Sequence, residues 1–480
     1  MVEYVLAIDE GTTNAKAVAI SRQGRVLVRA SRKLAVSHEG RGCVTQDAES
    51  IWRSVCDAIT DCVAQLDGVL PCAFAISNQR ESVIAWDGMT GEPVAPVLGW
   101  QDTRTEEACR RLRAVGVDDL VEQRTGLRLD SMFSAPKIGW LVDRFAGSTA
   151  RLRIGTVDTW LVNRLTGGRT YVAEAGNASR TLLLDLDTCQ WSDELCMAFG
   201  VPRDLLAPVV QSCGDFGETY GLDCLPDGIP IVGVLGDSHA ALFGHGCWSA
   251  GMGKVTLGTG SSVMVAAGSE RPCSRAVSTT LAWLTDEPFY GFEGNIVWAG
   301  SAMDWMARIL DVDPGPKLDL LSAECSDSEG VCFVPAFTGL GAPWWDREAS
   351  ALIAGLRPDT SRAVLARAAL ESTCNQVADV VESMSSVDIS CLFADGGPSR
   401  SATLMQIQAD ILGTEVKASV IEEASAMGAA LMGFERLGWD KPMGIEDGAK
   451  SYIPGIDSAR REAQRDRWKE MIAISRGASV

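Results

Sequence analysis

The chain has 480 residues, enough for two or three domains with full hydrophobic cores. Apolar residues make up 46% and charged residues 22%, as in globular proteins, and no apolar run reaches the roughly 18 residues of a membrane-spanning helix. The formal charge of −20 argues against nucleic acid and membranes as partners, and fifteen scattered cysteines without a Cys-x-x-Cys pair favour a reducing, cytoplasmic location.

The first half of the chain alternates strand and helix patterns, which is typical of α/β architecture. Three short strands, 5–8, 16–20 and 25–29, form an antiparallel meander of the kind that opens the ribonuclease-H-like fold. Asp47 is the predicted N-cap of a helix with Ile51, Val55 and Ile59 on one stripe. Further strands are predicted at 73–77, 83–86 and 229–235, and the last of them ends in a turn at 236–239.

The second half repeats this alternation after a glycine-rich segment, 246–253, that can act as a hinge. It contains a long predicted helix, 361–384, then a strand that ends at Asp395, a helix that stops at Gly413 and a small-residue helix start at 423–430. We therefore predict two ribonuclease-H-like domains, 1–246 and 247–440, that flank an interdomain cleft. Residues 441–480 are expected to form a polar, partly mobile tail.

Two glycine- and hydroxyl-rich loops interrupt strand patterns in the two halves. The first is Asp9-Glu10-Gly11-Thr12-Thr13-Asn14 and the second is Gly258-Thr259-Gly260-Ser261-Ser262. Glycine lets a backbone approach an anion closely, and Thr or Ser adds hydroxyl donors to the amide N–H groups. Two such hairpins that face each other predict a nucleotide held between two similar domains.

Three aspartates stand where predicted strands end, namely Asp9, Asp237 and Asp395. In an open α/β sheet this position faces the crevice where ligands bind. Phosphoryl transfer needs carboxylates near a divalent metal and a base for the attacking hydroxyl. Capping of a turn is the more common role of any one such aspartate. Three of them beside two phosphate-type loops favour a catalytic site, with Asp9 near the metal and Asp237 as the base.

A second group of polar residues suits a sugar or polyol. Arg80 is a forked donor and Glu81 an acceptor, a good match for vicinal hydroxyls, although a surface ion pair is an equally common role. Trp100 offers a flat apolar face to the carbon–hydrogen bonds of a sugar, but a lone Trp is more often part of a core. Among the three histidines only His239 lies inside a motif.

Taken together, these segments resemble the FGGY carbohydrate kinases and, within that family, the glycerol kinases. The resemblance extends to about Gly438 and is carried by the segments 9–14, 78–81, 100–104, 132–140, 155–160, 177–180, 236–244, 258–260, 335–345 and 395–397.

The resemblance implies a two-lobed kinase that uses ATP and Mg²⁺. Asp237 matches the family's general base, and Asp9 and Asp237 are the implied metal-side carboxylates. The residues implied around the nucleotide are Thr12, Thr13, Asn14, Lys16, Gly258, Thr259, Gly300, Asp304, Gly397 and Ser401. The residues implied around the substrate are Arg80, Glu81, Trp100, Met132, Asp237, Ser238, His239 and Ser262. Family members are often dimers or tetramers, so a homodimer or homotetramer is possible.

Departures from the glycerol kinase pattern bear on the substrate. Met132 stands where those enzymes carry Tyr, Ser238 and His239 where they carry Gln, and Ser262 where they carry Phe. A Phe or Tyr side chain buries about 150–250 Å², so its loss is expected to enlarge the pocket. On the nucleotide side, Lys16 replaces Arg, Asp304 replaces Gln, and Ser401 replaces Asn.

The leading hypothesis is an ATP-dependent kinase that phosphorylates a terminal hydroxyl of a small polyol or sugar. A true glycerol kinase and a xylulose or ribulose kinase are alternatives within the same chemistry. A non-catalytic nucleotide-dependent switch or sugar-binding regulator is an alternative of another class. The presence of Asp237 together with Arg80, Glu81 and Trp100 argues against it.

Overall fold

The structure, a computed structural model, describes residues 2–145, 147, 151–384, 386–442 and 444–478. Two lobes, each built on a mixed β-sheet, contain nearly all of the regular elements. Within these ranges no helix has both the length and the apolar character that a bilayer crossing requires.

The first lobe extends from the N-terminal strand to the helix that follows its last strand. Its strands are β1 Tyr4–Glu10, β2 Asn14–Ser21, β3 Val26–Lys33, β4 Thr45–Gln46, β5 Ala73–Asn78, β6 Val83–Asp87, β7 Val97–Leu98, β8 Leu152–Thr156, β9 Ala173–Glu174, β10 Leu184–Asp185, β11 Gln190–Trp191, β12 Val209–Val210 and β13 Ile231–Gly236. Its helices are α1 Ala48–Ala64, α2 Glu106–Ala114, α3 Val117–Thr125, α4 Ser134–Phe145, α5 Val157–Leu165, α6 Ala175–Ser179, α7 Asp193–Phe199 and α8 Asp237–Gly244.

The second lobe contains the remaining elements. Its strands are β14 Met252–Leu257, β15 Ser261–Gly268, β16 Ser278–Leu284, β17 Pro288–Ile296, β18 Cys332–Val334, β19 Leu352–Ala354, β20 Cys391–Asp395, β21 Glu415–Ala418 and β22 Lys450–Tyr452. Its helices are α9 Gly300–Ile309, α10 Pro316–Ser322, α11 Arg362–Glu382, α12 Ala402–Leu412, α13 Ala424–Gly433 and α14 Ser458–Ser475.

The two main sheets share one topology. In the first lobe the order is β3-β2-β1-β5-β13, with β1–β2–β3 antiparallel and β1–β5–β13 parallel. In the second lobe β17-β15-β14-β20-β21 has the same order and the same strand directions, with β16 and β22 added at the edges. This repeat confirms the predicted α/β fold with two ribonuclease-H-like sheets.

The side chains of β1 alternate between the two faces of the first sheet, and each face is covered by a helix. Leu6 and Ile8 lie in one core cluster with residues of α1, whereas Val5 and Ala7 lie in another with residues of α13. The helix starts follow capping chemistry as predicted, because the Asp47 side chain accepts a hydrogen bond from the Ser50 amide at the start of α1. Because its central strands are buried on both faces, the sheet is a rigid support for the loops at its edge.

The lobes meet where α8 crosses α13, and each of these helices follows the last parallel strand of its sheet. A Cβ on Gly428 would lie 1.8 Å from the Ala240 carbonyl oxygen, and one on Gly244 would lie 2.2 Å from that of Ala424. Only glycine permits backbones to approach this closely. The predicted turn at 236–239 is therefore wrong in one respect, since Asp237 already begins α8.

The described residues after 440, namely 441–442 and 444–478, also differ from the polar tail that the sequence predicts for 441–480. β22 pairs with β21, and α14 buries Trp468 and Ile472 against the second lobe. Arg465 on α14 lies 2.6 Å from a carboxylate oxygen of Asp379 on α11, and the Trp468 indole donates to the same carboxylate at 2.8 Å. The polar composition of this segment conceals a few anchoring side chains, so the segment is part of the second lobe.

We expect Trp468→Ala to lower the free energy of unfolding by about 3–5 kcal/mol, because it opens a cavity and removes a donor to the buried Asp379. Urea denaturation measures the loss. Lys469→Ala on the same helix is the control, since its ion pair with Glu382 is half exposed and contributes about 0–1 kcal/mol. Equal effects of the two substitutions would contradict the anchoring role of α14.

Candidate active site

Two connected cavities lie at the sheet edges where the loops meet. A cleft of about 880 Å³ is lined by residues of both lobes, including Asp9, Lys16, Asp237, Ser238 and Ser262. A pocket of about 540 Å³ lies in the second lobe. Six predicted nucleotide-side residues line that pocket: Gly258, Thr259, Gly300, Asp304, Gly397 and Ser401. Gly397 and Arg400 border both cavities, so the two are continuous.

The first glycine–threonine loop is a tight turn between β1 and β2, closed by a hydrogen bond from the Gly11 amide to the Asn14 carbonyl at 2.9 Å. Thr12 Oγ1 accepts a hydrogen bond from the Trp100 indole at 3.0 Å. The Gln46 side chain donates to the Thr12 carbonyl at 2.9 Å. Trp100 thus connects the predicted substrate side directly to the phosphate-type loop, and its ring is half-buried.

The second loop joins β14 to β15 and is supported by the start of α9. The Gly300 amide donates to the Gly258 carbonyl at 2.9 Å, and Ser301 Oγ donates to the Thr259 carbonyl at 2.9 Å. A Cβ on Gly300 would lie 2.3 Å from that Gly258 oxygen, so the contact requires glycine. Gly258 and Thr259 are exposed and line the second-lobe pocket, where the Gly258 amide donates to the Gly260 carbonyl at 2.9 Å.

Asp237 is the first residue of α8, and its carboxylate faces the cleft with 38% of the side chain exposed. The Arg80 Nε atom lies 3.1 Å from Asp237 Oδ1, which also accepts from the Ser238 amide at 2.6 Å. Ser425 of α13 donates to the Asp237 carbonyl at 3.1 Å. Two contacts therefore fix the carboxylate and a third holds its backbone, while one side of the carboxylate stays open to a ligand.

Behind Asp237 lies a buried ion network of four side chains: Arg80, Glu81, Arg180 and Glu293. Arg80 donates two hydrogen bonds to Glu293, at 2.6 and 3.0 Å, and Arg180 lies 2.7 Å from Glu81 and 3.0 Å from Glu293. Burial opposes ionisation of Glu293, but the two guanidinium groups outweigh it and hold its pKa below the usual range. Glu81 has φ +64, a strained conformation that often marks functional sites.

Asp9 lies at the end of β1, where burial raises its pKa to about 6. It accepts a hydrogen bond from Ser77 Oγ at 3.0 Å. Lys16 lies 3.8 Å from Asp9 but 2.7 Å from Glu423 of the second lobe, so its charge is largely committed to Glu423. Within the described ranges, no three His, Cys, Asp or Glu side chains come together as a ready metal cage. Asp9 and Asp237 fit Mg²⁺, which typically takes one or two carboxylates and fills its other positions with water and phosphate oxygens.

Five predicted substrate residues are not among those that line the cleft, namely Arg80, Glu81, Trp100, Met132 and His239. His239 is fully buried, with Nε2 3.1 Å from Thr280 Oγ1, and burial lowers its pKa well below 6.5. Glu81 is held by Arg180, and Met132 packs against the first-lobe core. Sequence reasoning missed Glu293 and Lys254, although each is a charged residue within a largely apolar strand.

Models of a known protein family match both lobes of this chain. The model of the N-terminal domain of the FGGY family of carbohydrate kinases matches residues 4–244, and that of the C-terminal domain matches 253–435. The chain belongs to the FGGY family of carbohydrate kinases.

Named relatives lie in the same family of activities. An apulose kinase from Pectobacterium atrosepticum is 42% identical over 91% of this chain and 90% of its own, and a glycerol kinase from Thermus brockianus is 40% identical over 99% of both. The crystal structure of Plasmodium falciparum glycerol kinase with ADP superposes with a TM-score of 0.94 at 28% identity, covering 100% of this chain and 99% of that one. The chain is therefore an ATP-dependent sugar or polyol kinase.

His245 joins the two lobes of this kinase behind the cleft, at the C-terminal end of α8. Its ring nitrogens lie 2.8 Å from Asp395 Oδ2 and 2.6 Å from Glu446 Oε1, and Ser419 Oγ lies 3.3 Å from Nδ1. Its ring stacks on Phe393. Burial alone would lower the pKa of His245, but its hydrogen bonds to the carboxylates of Asp395 and Glu446 outweigh burial and raise the pKa above 6.5.

Because this pKa is higher in the folded state, His245 stabilises the protein fully below about pH 6.5, and the contribution is lost as the pH rises through the folded-state pKa. We expect the wild type to exceed His245→Gln in free energy of unfolding at pH 6, and the difference to shrink by pH 9. Urea denaturation across this range measures it. His38→Gln is the control, because His38 is exposed. A difference that grows with pH would contradict the assignment.

Proposed function

We propose that this kinase phosphorylates a terminal hydroxyl of a four- or five-carbon sugar or polyol, with Asp237 as the general base. The observation that carries the proposal is the Asp237 carboxylate, fixed by Arg80 at the head of α8 and open to a cleft that continues into the second-lobe pocket. A base must be fixed within hydrogen-bond reach of the hydroxyl that it deprotonates.

In the proposed mechanism Asp237 accepts the hydroxyl proton while that oxygen attacks the γ-phosphorus of ATP. The new O–P bond forms as the bond from phosphorus to the β–γ bridging oxygen breaks, and the electron pair leaves with ADP. Arg80 holds the Asp237 carboxylate, and Trp100 orients the substrate beside the Thr12 loop. Closure of the lobes excludes water, which would otherwise compete as acceptor.

We assign the nucleotide to the second-lobe pocket, with its phosphates directed between the two glycine–threonine loops. Gly258, Thr259, Gly300, Asp304, Gly397 and Ser401 would surround the nucleoside and its first phosphates. Thr12, Thr13, Asn14 and Lys16 would approach from the opposite lobe. Mg²⁺, held near Asp9 and Asp237, supplies neutralisation of phosphate charge when bound.

The substrate size is inferred from Ser262 and its neighbours. Ser262 lines the cleft together with Asp237 and Ser238, and its hydroxyl has no hydrogen-bond partner among the described residues. A small side chain at this position leaves room for one or two more carbons than glycerol has. The 42% identity to an enzyme named apulose kinase supports a substrate other than glycerol. The 40% identity to a glycerol kinase keeps glycerol as the second candidate.

Replacement of the proposed base is the direct test of the mechanism. We expect Asp237→Asn to lower kcat by about 10²–10⁴-fold, because general-base catalysis contributes that much. A coupled assay of ADP release measures the change, and Asp286→Asn on the surface removes the same charge as a control. Near-normal turnover of Asp237→Asn would show that another group is the base.

A substrate panel tests the pocket. With glycerol, erythritol, threitol, xylitol, xylulose, ribulose and apulose, we expect the best four- or five-carbon substrate to exceed glycerol in kcat/KM by at least about tenfold. Ser262→Phe should abolish this preference by refilling the pocket, whereas Ser262→Ala should keep it. A wild-type preference for glycerol would assign a true glycerol kinase, and a xylulose or ribulose preference a ketopentose kinase. Phosphorylation of none of them would favour the non-catalytic alternative.

A further inference from the structure

Lys254 is a buried cation at the base of the cleft, on β14. Val255 and Leu257 of this strand enter the second-lobe core, so Lys254 and Thr256 project from the opposite face, and both line the cleft with Asp237 and Asp395. Only 2% of the Lys254 residue is exposed. A lysine is rarely buried to this extent without an ionic partner.

The ammonium group of Lys254 lacks such a partner. It donates one hydrogen bond, to Thr256 Oγ1 at 2.9 Å, and no carboxylate of the described residues lies within salt-bridge distance. An ammonium has three N–H donors, so two remain for another acceptor. Burial lowers the pKa of Lys254, which the more distant charges of Asp395, Asp237 and Glu293 partly oppose and that of Arg80 reinforces.

Two further polar atoms at this point also lack partners. Ser262 Oγ and Asp395 Oδ1 are buried without a hydrogen bond among the described residues. Thr256 lies directly opposite Ser262 on β15 and Asp395 on β20. Lys254 and Ser262 therefore leave hydrogen-bond donors without acceptors at the floor of the cleft, whereas Asp395 Oδ1 is an acceptor and does not contribute to an anion site. Unsatisfied buried donors are costly, so their concentration here indicates the place of an anion.

The other lysine of the cleft is already neutralised. Lys16 is paired with Glu423, and Arg29 at the cleft wall is paired with Glu422 and Glu423. Neither can turn to a phosphate without breaking an ion pair. Lys254 has no such commitment, and Asp237 lines the same cleft.

We propose that Lys254 is a catalytic residue that donates hydrogen bonds to the equatorial oxygens of the phosphoryl group in transfer. This inference rests on the proposed function, in which Asp237 is the base. While the substrate oxygen forms its bond to phosphorus and the bond to the ADP oxygen breaks, negative charge spreads over these equatorial oxygens. A fixed ammonium in a site that excludes water stabilises this charge more than that of the bound ground state. Lys254 keeps its proton throughout.

The test is Lys254→Met, which keeps the length and removes the charge, with Lys254→Gln in case the apolar variant does not fold. We expect kcat to fall about 10²–10³-fold, as for loss of one transition-state donor. Calorimetry with nucleotide alone should give weaker ATP binding but an ADP Kd within about threefold of the wild type, because ADP lacks the transferred group. Lys254→Arg should recover part of the lost kcat.

The matched control is Lys417→Met, which removes the same charge from β21 of the same sheet outside the cleft. It should leave kcat and both nucleotide affinities unchanged. Wild-type turnover in Lys254→Met and Lys254→Gln would overturn the inference, and so would equal weakening of ATP and ADP, which indicates a structural role. Absence of any sugar phosphorylation by the wild type would instead overturn the proposed function, so the two failures are distinguishable.

Discussion

The site depends on one buried contact between the lobes, the pairing of Arg80 with Glu293. Arg80 follows β5 of the first lobe and Glu293 lies on β17 of the second, so the pair connects both sheets at the back of the cleft. The same guanidinium holds Asp237 through its Nε atom. Removal of one partner from a buried ion pair typically costs about 3–5 kcal/mol, because the other charge is left without compensation. The orientation of Asp237, the proposed base, is thus coupled to the contact between the lobes.

A second contact between the lobes acts through backbone shape rather than charge. α8 begins at Asp237, and its crossing with α13 depends on Gly428 and Gly244. Since Ser425 of α13 donates to the Asp237 carbonyl, a shift of one helix along the other would move the carboxylate. The crossing therefore fixes the position of Asp237 relative to the second lobe.

Sequence predicts those parts of the fold whose signals are local. The meander of β1 to β3, the Asp47 cap and the Gly413 stop are all encoded within a few residues, by alternation, by a side-chain acceptor and by a left-handed glycine. The sequence around Asp237 predicts a turn, because Gly236 and Ser238 favour turns locally. The structure has a helix there instead, because α8 packs on α13. In 441–480 three anchoring side chains, Tyr452, Trp468 and Ile472, are too widely spaced in a polar segment to indicate burial.

For the candidate site too, local signals could be predicted from the sequence and tertiary contacts could not. The two glycine–threonine loops are short motifs. Eleven of the predicted residues line one or both cavities around them: Asp9, Lys16, Asp237, Ser238, Ser262, Gly258, Thr259, Gly300, Asp304, Gly397 and Ser401. The ion pairs of Glu293 and the unpaired state of Lys254 could not be predicted from the sequence. Each depends on charged residues from strands that are distant in the chain. His239 illustrates the opposite error, since its motif is local but its imidazole is directed to Thr280 behind Arg80.

Local charge also explains how an acidic protein accepts a polyanionic nucleotide. The net charge of −20 repels ATP at long range, but at physiological ionic strength this repulsion is screened beyond about 8 Å. Inside the cleft, individual charges matter more than the net charge. Arg80 is paired with Glu293 and Lys16 with Glu423, so neither cation is free for phosphate, and the raised pKa of Asp9 makes its carboxyl only weakly acidic. Among the cations that line the cleft, Arg400 at the border of the two cavities and the buried ammonium of Lys254 have no ion pair with a described carboxylate, so we expect them to act on the phosphates together with loop amides and Mg²⁺. An additional carboxylate within reach of Lys254 would therefore oppose catalysis more than any change in the surface charge.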